Sequence, residues 1–193
     1  MSNGKGSKWT QTGLKLKPDH GWRAKPGHKI FVADRGAVRF DIPESWVLEP
    51  GDDSIRFNDK KPPDDDCLLQ VSVMYLSADI DWTGFPLRRC LDEALKIDSR
   101  GLRLPGSVIE VRRSGVELAW REAYCVDKNE RRDACSRLCY ARSTHVKRVV
   151  IQAFITMDFW TDHASRFIPV WDEVLRSLTL GDFVEDPVRR MLH

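Results

Sequence analysis

Cys125, Cys135, Cys139 and His145 fall within twenty-one residues and offer the donor set of a tetrahedral zinc site. Their spacing argues the other way. Cys135 and Cys139 lie four residues apart in a segment that reads as a strand, which separates the thiols by about 13 Å. One tetrahedral ion cannot take both unless the strand bends. Cys125 and Cys135 flank a turn and could approach each other. The competing reading is a set of buried, inert thiols. No metal site is assigned from the sequence, and the Cys125/Cys135/Cys139/His145 group is kept as the basis of an alternative, a metal-binding or enzymatic protein.

Other chemistry-bearing residues are dispersed. His20, His28 and His163 are scattered, and Asp162-His163 precedes the last helix without a nucleophile that the sequence can place beside it. The chain has no G-x-S-x-G, no H-E-x-x-H, no P-loop and no G-x-G-x-x-G. Asp64-Asp65-Asp66, with Asp52-Asp53 nearby, lack the ligand spacing and glycine of an EF-hand and read as a charged loop. Arg112, Arg113, Arg131, Arg132, Arg137, Arg142, Lys147 and Arg148 are interleaved with Glu110, Glu117, Glu122, Asp127, Glu130 and Asp133. That interleaving predicts cross-strand charge pairs. Stacking aromatics are not interleaved with the cations, so nucleic-acid binding is not expected. No catalytic residue and no cofactor is assigned.

These residues sit in a chain of 193 with a net charge of +2, 41% hydrophobic and 31% charged. That is one domain of ordinary globular composition, not a strong polyanion binder. No run of about 18 apolar residues occurs, so membrane insertion is not expected. Met1–Ser7 is polar, with no hydrophobic stretch of an export signal. Five cysteines without such a signal point to reduced thiols and a cytoplasmic location. Residues 1–28 hold six lysines and arginines against Asp19 alone, and read as a flexible basic arm in which only Trp9 and Trp22 could dock. Residues 29–181 form the single domain and residues 182–193 a tail.

The domain must supply the elements. Lys29–Ala33 and Gly36–Asp41 read as strands, followed by short extended pieces at Glu44–Leu48 and Ser54–Asn58. Cys67–Leu76 reads as a central strand, with Leu69, Val71, Val73 and Tyr75 on one face and Leu68, Met74 and Leu76 on the other. Apolar residues on both faces predict cover on both sides. A helix follows Pro86, with Leu87, Leu91, Ala94 and Leu95 on one stripe, and stops at Gly101. Ser107–Arg113 and Val116–Asp127 form a hairpin about Ser114-Gly115. Ala134–Ser143 and Val146–Phe159 form a second, turning near Thr144-His145. The last helix runs from Asp162 to Leu178 and buries Phe167, Trp171, Val174 and Leu175. Strands outnumber helices and neighbours are joined by turns, which predicts an α+β fold, an antiparallel β-sheet of about six to seven strands sandwiched by helices.

Two segments carry a family resemblance. Phe40-Asp41-Ile42-Pro43-Glu44-Ser45-Trp46 shows F-x-x-P-x-x-W, and Val174-Leu175-Arg176-Ser177-Leu178 closes the last helix with two hydrophobics, a spacer, serine and a hydrophobic. With the order of elements between them, the chain resembles the PsbP-like superfamily, which includes PsbP subunits, DcrB and LpqN type proteins and the Ran release factors. The resemblance implies an α/β/α sandwich that works as a non-catalytic binding or adaptor module, some relatives being chaperone-like. A bacterial, cytoplasmic protein with a protein partner is the resulting expectation. Leu68, Met74 and Trp82 are its candidate binding residues, bordering an apolar face for a helix of the partner. A structural subunit tethered by the basic arm is the other alternative.

Overall fold

The computed structural model describes residues 21–82, 84–144 and 149–184. Ten strands and two α-helices follow one another as β1 (His28–Ala33), β2 (Val38–Pro43), β3 (Val47–Pro50), β4 (Ile55–Asn58), β5 (Cys67–Ser77), α1 (Leu87–Ile97), β6 (Ile109–Arg113), β7 (Val116–Asp127), β8 (Arg132–Ser143), β9 (Val149–Trp160), α2 (Ala164–Ser177) and β10 (Thr179–Leu180). Seven strands form one antiparallel sheet in the order β3-β4-β5-β9-β8-β7-β6. The expected α+β sheet of six to seven strands is therefore present. The sequence-based expectation of one sheet needs amendment, because β1, β2 and the two-residue β10 form a second, three-stranded sheet.

Strict alternation sorts the main sheet into two faces. On β9, Ile151, Ala153, Ile155, Met157 and Phe159 are buried, and the register sets them beside Leu69 and Val71 of β5 and Cys135, Cys139 and Ala141 of β8. This face packs against α2, whose Phe167, Trp171, Val174 and Leu175 are buried as the 3.6-residue stripe requires. Edge-to-face ring pairs knit the layers together, Trp46 with Phe167 and Trp120 with Trp171. Phe31, Phe40 and Phe57 join the small sheet to β4 with centroids 4.8–5.6 Å apart.

The two segments that carry the family resemblance meet at one junction. The Asp41 amide donates to Ser177 Oγ at 2.8 Å, and that hydroxyl donates to the Glu173 carbonyl at 2.7 Å. Ser177 thus ties the end of α2 to β2. Arg113 of β6 secures the same end, donating to the carbonyls of Leu175, Arg176 and Leu178 at 2.5, 2.6 and 2.7 Å. Those carbonyls have no partners within the helix, so the guanidinium serves as its C-cap.

Parts of the presumed arm are tied down. Lys25 donates its amide to the Asp41 carboxylate and its ammonium lies 3.4 Å from Glu173. The Arg39 guanidinium lies 4.3 Å over the Trp22 ring. Trp9, residues 1–20 and residues 185–193 lie outside the described residues. The final helix opens as a single 3-10 turn over Thr161–His163, and Pro169 is accommodated inside α2.

Candidate functional site

The opposite face of the main sheet is built differently. It presents Leu68, Gln70, Ser72, Met74 and Leu76 of β5 and Val150, Gln152, Phe154, Thr156 and Asp158 of β9. β8 adds Ser136, Leu138, Tyr140 and Arg142 in register. Among the described residues α1 is the helix on this side, joined by Leu102 and Val108 of the loop that follows it. The buried Leu91 and half-buried Leu95 of α1 pack with Ala123, Leu138, Tyr140 and Phe154, so the helix sits over β7 and β8. The β5–β9 half is left partly open, and Leu68, Gln70, Ser72, Met74 and Leu76 are all half-buried.

Specific contacts hold α1 in that off-centre place. At its C-terminal end Arg100 donates to Asp98 and reaches down to Asp158 on β9 at 2.7 Å. Asp158 also accepts the Ser136 hydroxyl. At its N-terminal end the Trp82 indole donates to the Ser77 carbonyl at 2.7 Å, and the Phe85 amide donates to the Trp82 carbonyl at 3.0 Å. The loop between β5 and α1 therefore folds over the end of β5.

Leu68 and Met74 share this open face, as the sequence expects, but six residues of strand separate them by about 20 Å. Trp82 stands at the Ser77 end of the strand, nearer Met74 in sequence than Leu68. Sequence reasoning omitted Tyr140, Gln152 and Phe154. Tyr140 and Phe154 stack at 4.4 Å with a 23° tilt and floor the boundary between the open half and α1. Their signal was available in the even positions of β8 and β9, which fall on one face once the odd ones are assigned to the core.

A polar row crosses the sheet from this surface. Met74 pairs with Gln152, Gln152 with Arg142, Arg142 with Glu117 and Glu117 with Arg112 on five successive strands. Glu117 accepts from Arg142 at 2.7 Å and from Arg112 at 3.2 Å. The charge pairs expected from the interleaving are thus present, as is Arg137 with Glu122 at 2.6 Å. A cleft of about 250 Å³ lies at the end of the row, lined by Pro86 and Leu87 of α1's start and by Arg112, Glu117 and Arg142 among others.

The cysteine group does not converge. Cys125 pairs with Ala134 and Tyr124 with Cys135, so Cys125 faces the α1 side while Cys135 and Cys139 face α2. His145 lies outside the described residues. Burial pushes the Cys135 thiol up to about 12, and raises Cys139 and Cys125 as well. Cys135 and Cys139 lie among the buried apolar residues of the core, and Cys125 is buried on the other face of the sheet. The acidic loop is engaged by cations, with Asp66 2.6 Å from Lys60 and Asp59 3.0 Å from Arg166. Among the described residues, no three histidine, cysteine or acidic side chains are grouped to hold a metal. Among those residues no helix is long and apolar enough to cross a membrane.

Comparison with known proteins places this architecture. Residues 29–184 match the Alr1449 family. The uncharacterised protein alr1449 of Nostoc sp. is 45% identical over 180 residues, 93% of this chain and 91% of that protein. Two solved structures share the fold at low identity. LpqN of Mycobacterium tuberculosis, described as involved in cell envelope biogenesis, has a TM-score of 0.59 at 14% identity, over 79% of this chain and 89% of its own. The Ran-binding protein Mog1p of Saccharomyces cerevisiae has a TM-score of 0.51 at 10% identity, over 80% of this chain and 96% of its own.

Proposed function

The chain belongs to the Alr1449 family, and from that premise we propose that it is a non-catalytic protein-binding or adaptor module of the PsbP-like superfamily. The open β5–β9 half of the α1-side face is the docking surface. The observation that carries this reading is the off-centre seat of α1, which covers β7 and β8 and leaves Met74 half-buried beside Phe154 and Gln152. A thioether and an aromatic ring set among Gln70, Ser72, Gln152 and Thr156 suit a protein surface. They supply adaptable apolar contact with hydrogen-bonding groups close by. The shared fold of Mog1p, a Ran-binding protein, is consistent with a protein ligand. The partner presents an apolar helix along the row from Leu68 to Met74, with Trp82 at the rim. The protein acts in the cytoplasm and needs no cofactor.

The test is affinity capture from the native host's lysate with three baits: wild type, Met74→Glu and Val126→Glu. Val126 is 53% exposed on the opposite face and serves as the control. One stoichiometric protein captured by wild type and Val126→Glu, and lost from Met74→Glu, supports the reading. A partner that Met74→Glu retains, or a bait that captures none, overturns it.

A further inference from the structure

The two edges of the seven-stranded sheet are unlike. β3 is four residues long and ends in Pro50, which cannot donate to a further strand. β6 has no proline, and Ile109, Glu110, Val111 and Arg112 are all exposed, Ile109 and Val111 at 45% and 42%. Among the described residues no strand pairs with its outer side. The free edge is confined to β6, because further along β7 the backbone of Arg103 bridges Tyr124 at 2.7 and 2.8 Å.

Backbone direction follows from the hairpin. Ser114-Gly115 joins β6 to β7, with Arg113 opposite Val116. In a two-residue hairpin the flanking pair exchanges both hydrogen bonds, and bonded pairs then alternate. Arg113, Val111 and Ile109 therefore bond inward to β7, and the N–H and C=O groups of Glu110 and Arg112 point out of the sheet.

We propose that β6 is an interface between two copies of this chain, paired antiparallel about a two-fold axis at Val111. In that register Val111 lies opposite its own counterpart. Glu110 lies opposite the partner subunit's Arg112, and Arg112 opposite the partner subunit's Glu110. Each of these pairs exchanges the outward backbone bonds and adds a cross-strand ion pair. Ile109 lies against the aliphatic stem of the partner subunit's Arg113, whose guanidinium is held at the end of α2. The segment Ile109-Glu110-Val111-Arg112-Arg113 is its own complement in charge and shape, which selects a second copy over a foreign strand. The side chain of Arg112 is 71% exposed and can serve Glu117 and the partner's Glu110 together. The two sheets become one, with the open β5–β9 surfaces toward its far ends.

The experiment is sedimentation equilibrium of the full chain over a dilution series from submicromolar to millimolar. Wild type is expected as a concentration-dependent dimer. Glu110→Lys sets like charges against each other twice and is expected to weaken the dimer by about ten-fold or more. Glu110→Lys with Arg112→Glu restores complementarity and the dimer. Val111→Cys is expected to give a covalent dimer under mild oxidation, whereas Glu110→Cys, which does not face itself, is not. A chain that stays monomeric throughout overturns the proposal. So does a dimer indifferent to Glu110→Lys, or one that Val111→Cys cannot trap. These results are independent of the lysate experiment, which reads the β5–β9 face instead of the β6 edge.

Discussion

The two faces of the seven-stranded sheet are covered unequally. On the α2 side, β9 presents five consecutive inward residues that are at most 3% exposed, sealed by α2 and the small sheet. On the α1 side, among the described residues, one eleven-residue helix sits over β7 and β8 with Leu102 and Val108 of the loop that follows it. The larger core lies on the α2 side, and the smaller cluster of Leu91, Ala123 and Leu138 leaves the β5 residues of the other face half-buried. Substitutions should therefore separate cleanly by face.

The largest effect is expected at Trp171, which is fully buried between α2 and the sheet. Trp171→Ala should lose about 3–5 kcal/mol of stability in urea unfolding. Leu91→Ala removes the only fully buried residue of α1 and should cost about 2 kcal/mol, below the Trp171 loss. A loss at Leu91 as large as that at Trp171 would break the contrast between faces.

Acid should loosen the end of α2. The hydrogen bond from Arg176, with its charge, holds the Glu173 carboxyl below its ordinary value of 4.5. A carboxylate depressed in the folded state contributes stability that is fully present above its unfolded value. That contribution is lost as pH falls through the lower folded value. Stability should therefore decline below about pH 4.5, and Glu173→Gln should flatten that part of an acid titration followed by circular dichroism. The smallest effect is expected at Met74. Met74→Glu should cost about 1 kcal/mol, since the site is half-buried, and should abolish partner capture.

Much of the sandwich could be read from local pattern. The alternation in Cys67–Leu76, the stripe through Leu87 and Leu91, and the Ser114-Gly115 turn each specify an element with little help from distant residues. What escaped was long-range. Thr179-Leu180 is too short for a pattern, and only its register with Arg39 and Val38 makes it a strand. That pairing removes β1 and β2 from the main sheet. Arg113 reads as one cation of a run, yet it caps a helix more than sixty residues away. Alternation placed Leu68 and Met74 on one face correctly, but periodicity says nothing about where α1 stops covering that face. The position of the helix is set by Arg100 with Asp158 and by Leu91 with Ala123 and Leu138. None of these contacts is adjacent in the chain.

The most direct measurement is a hydroxyl-radical oxidation footprint of the protein free and bound to its captured partner. Met74 and Trp82 lie on the proposed surface, Tyr75 is 50% exposed on the opposite face, and Met157 is buried in the core. The expected result is that oxidation of Met74 and Trp82 falls in the complex, while Tyr75 keeps its reactivity and Met157 stays protected in both states. Protection of Tyr75 with unchanged oxidation of Met74 would contradict the account and move the partner to the α2 side.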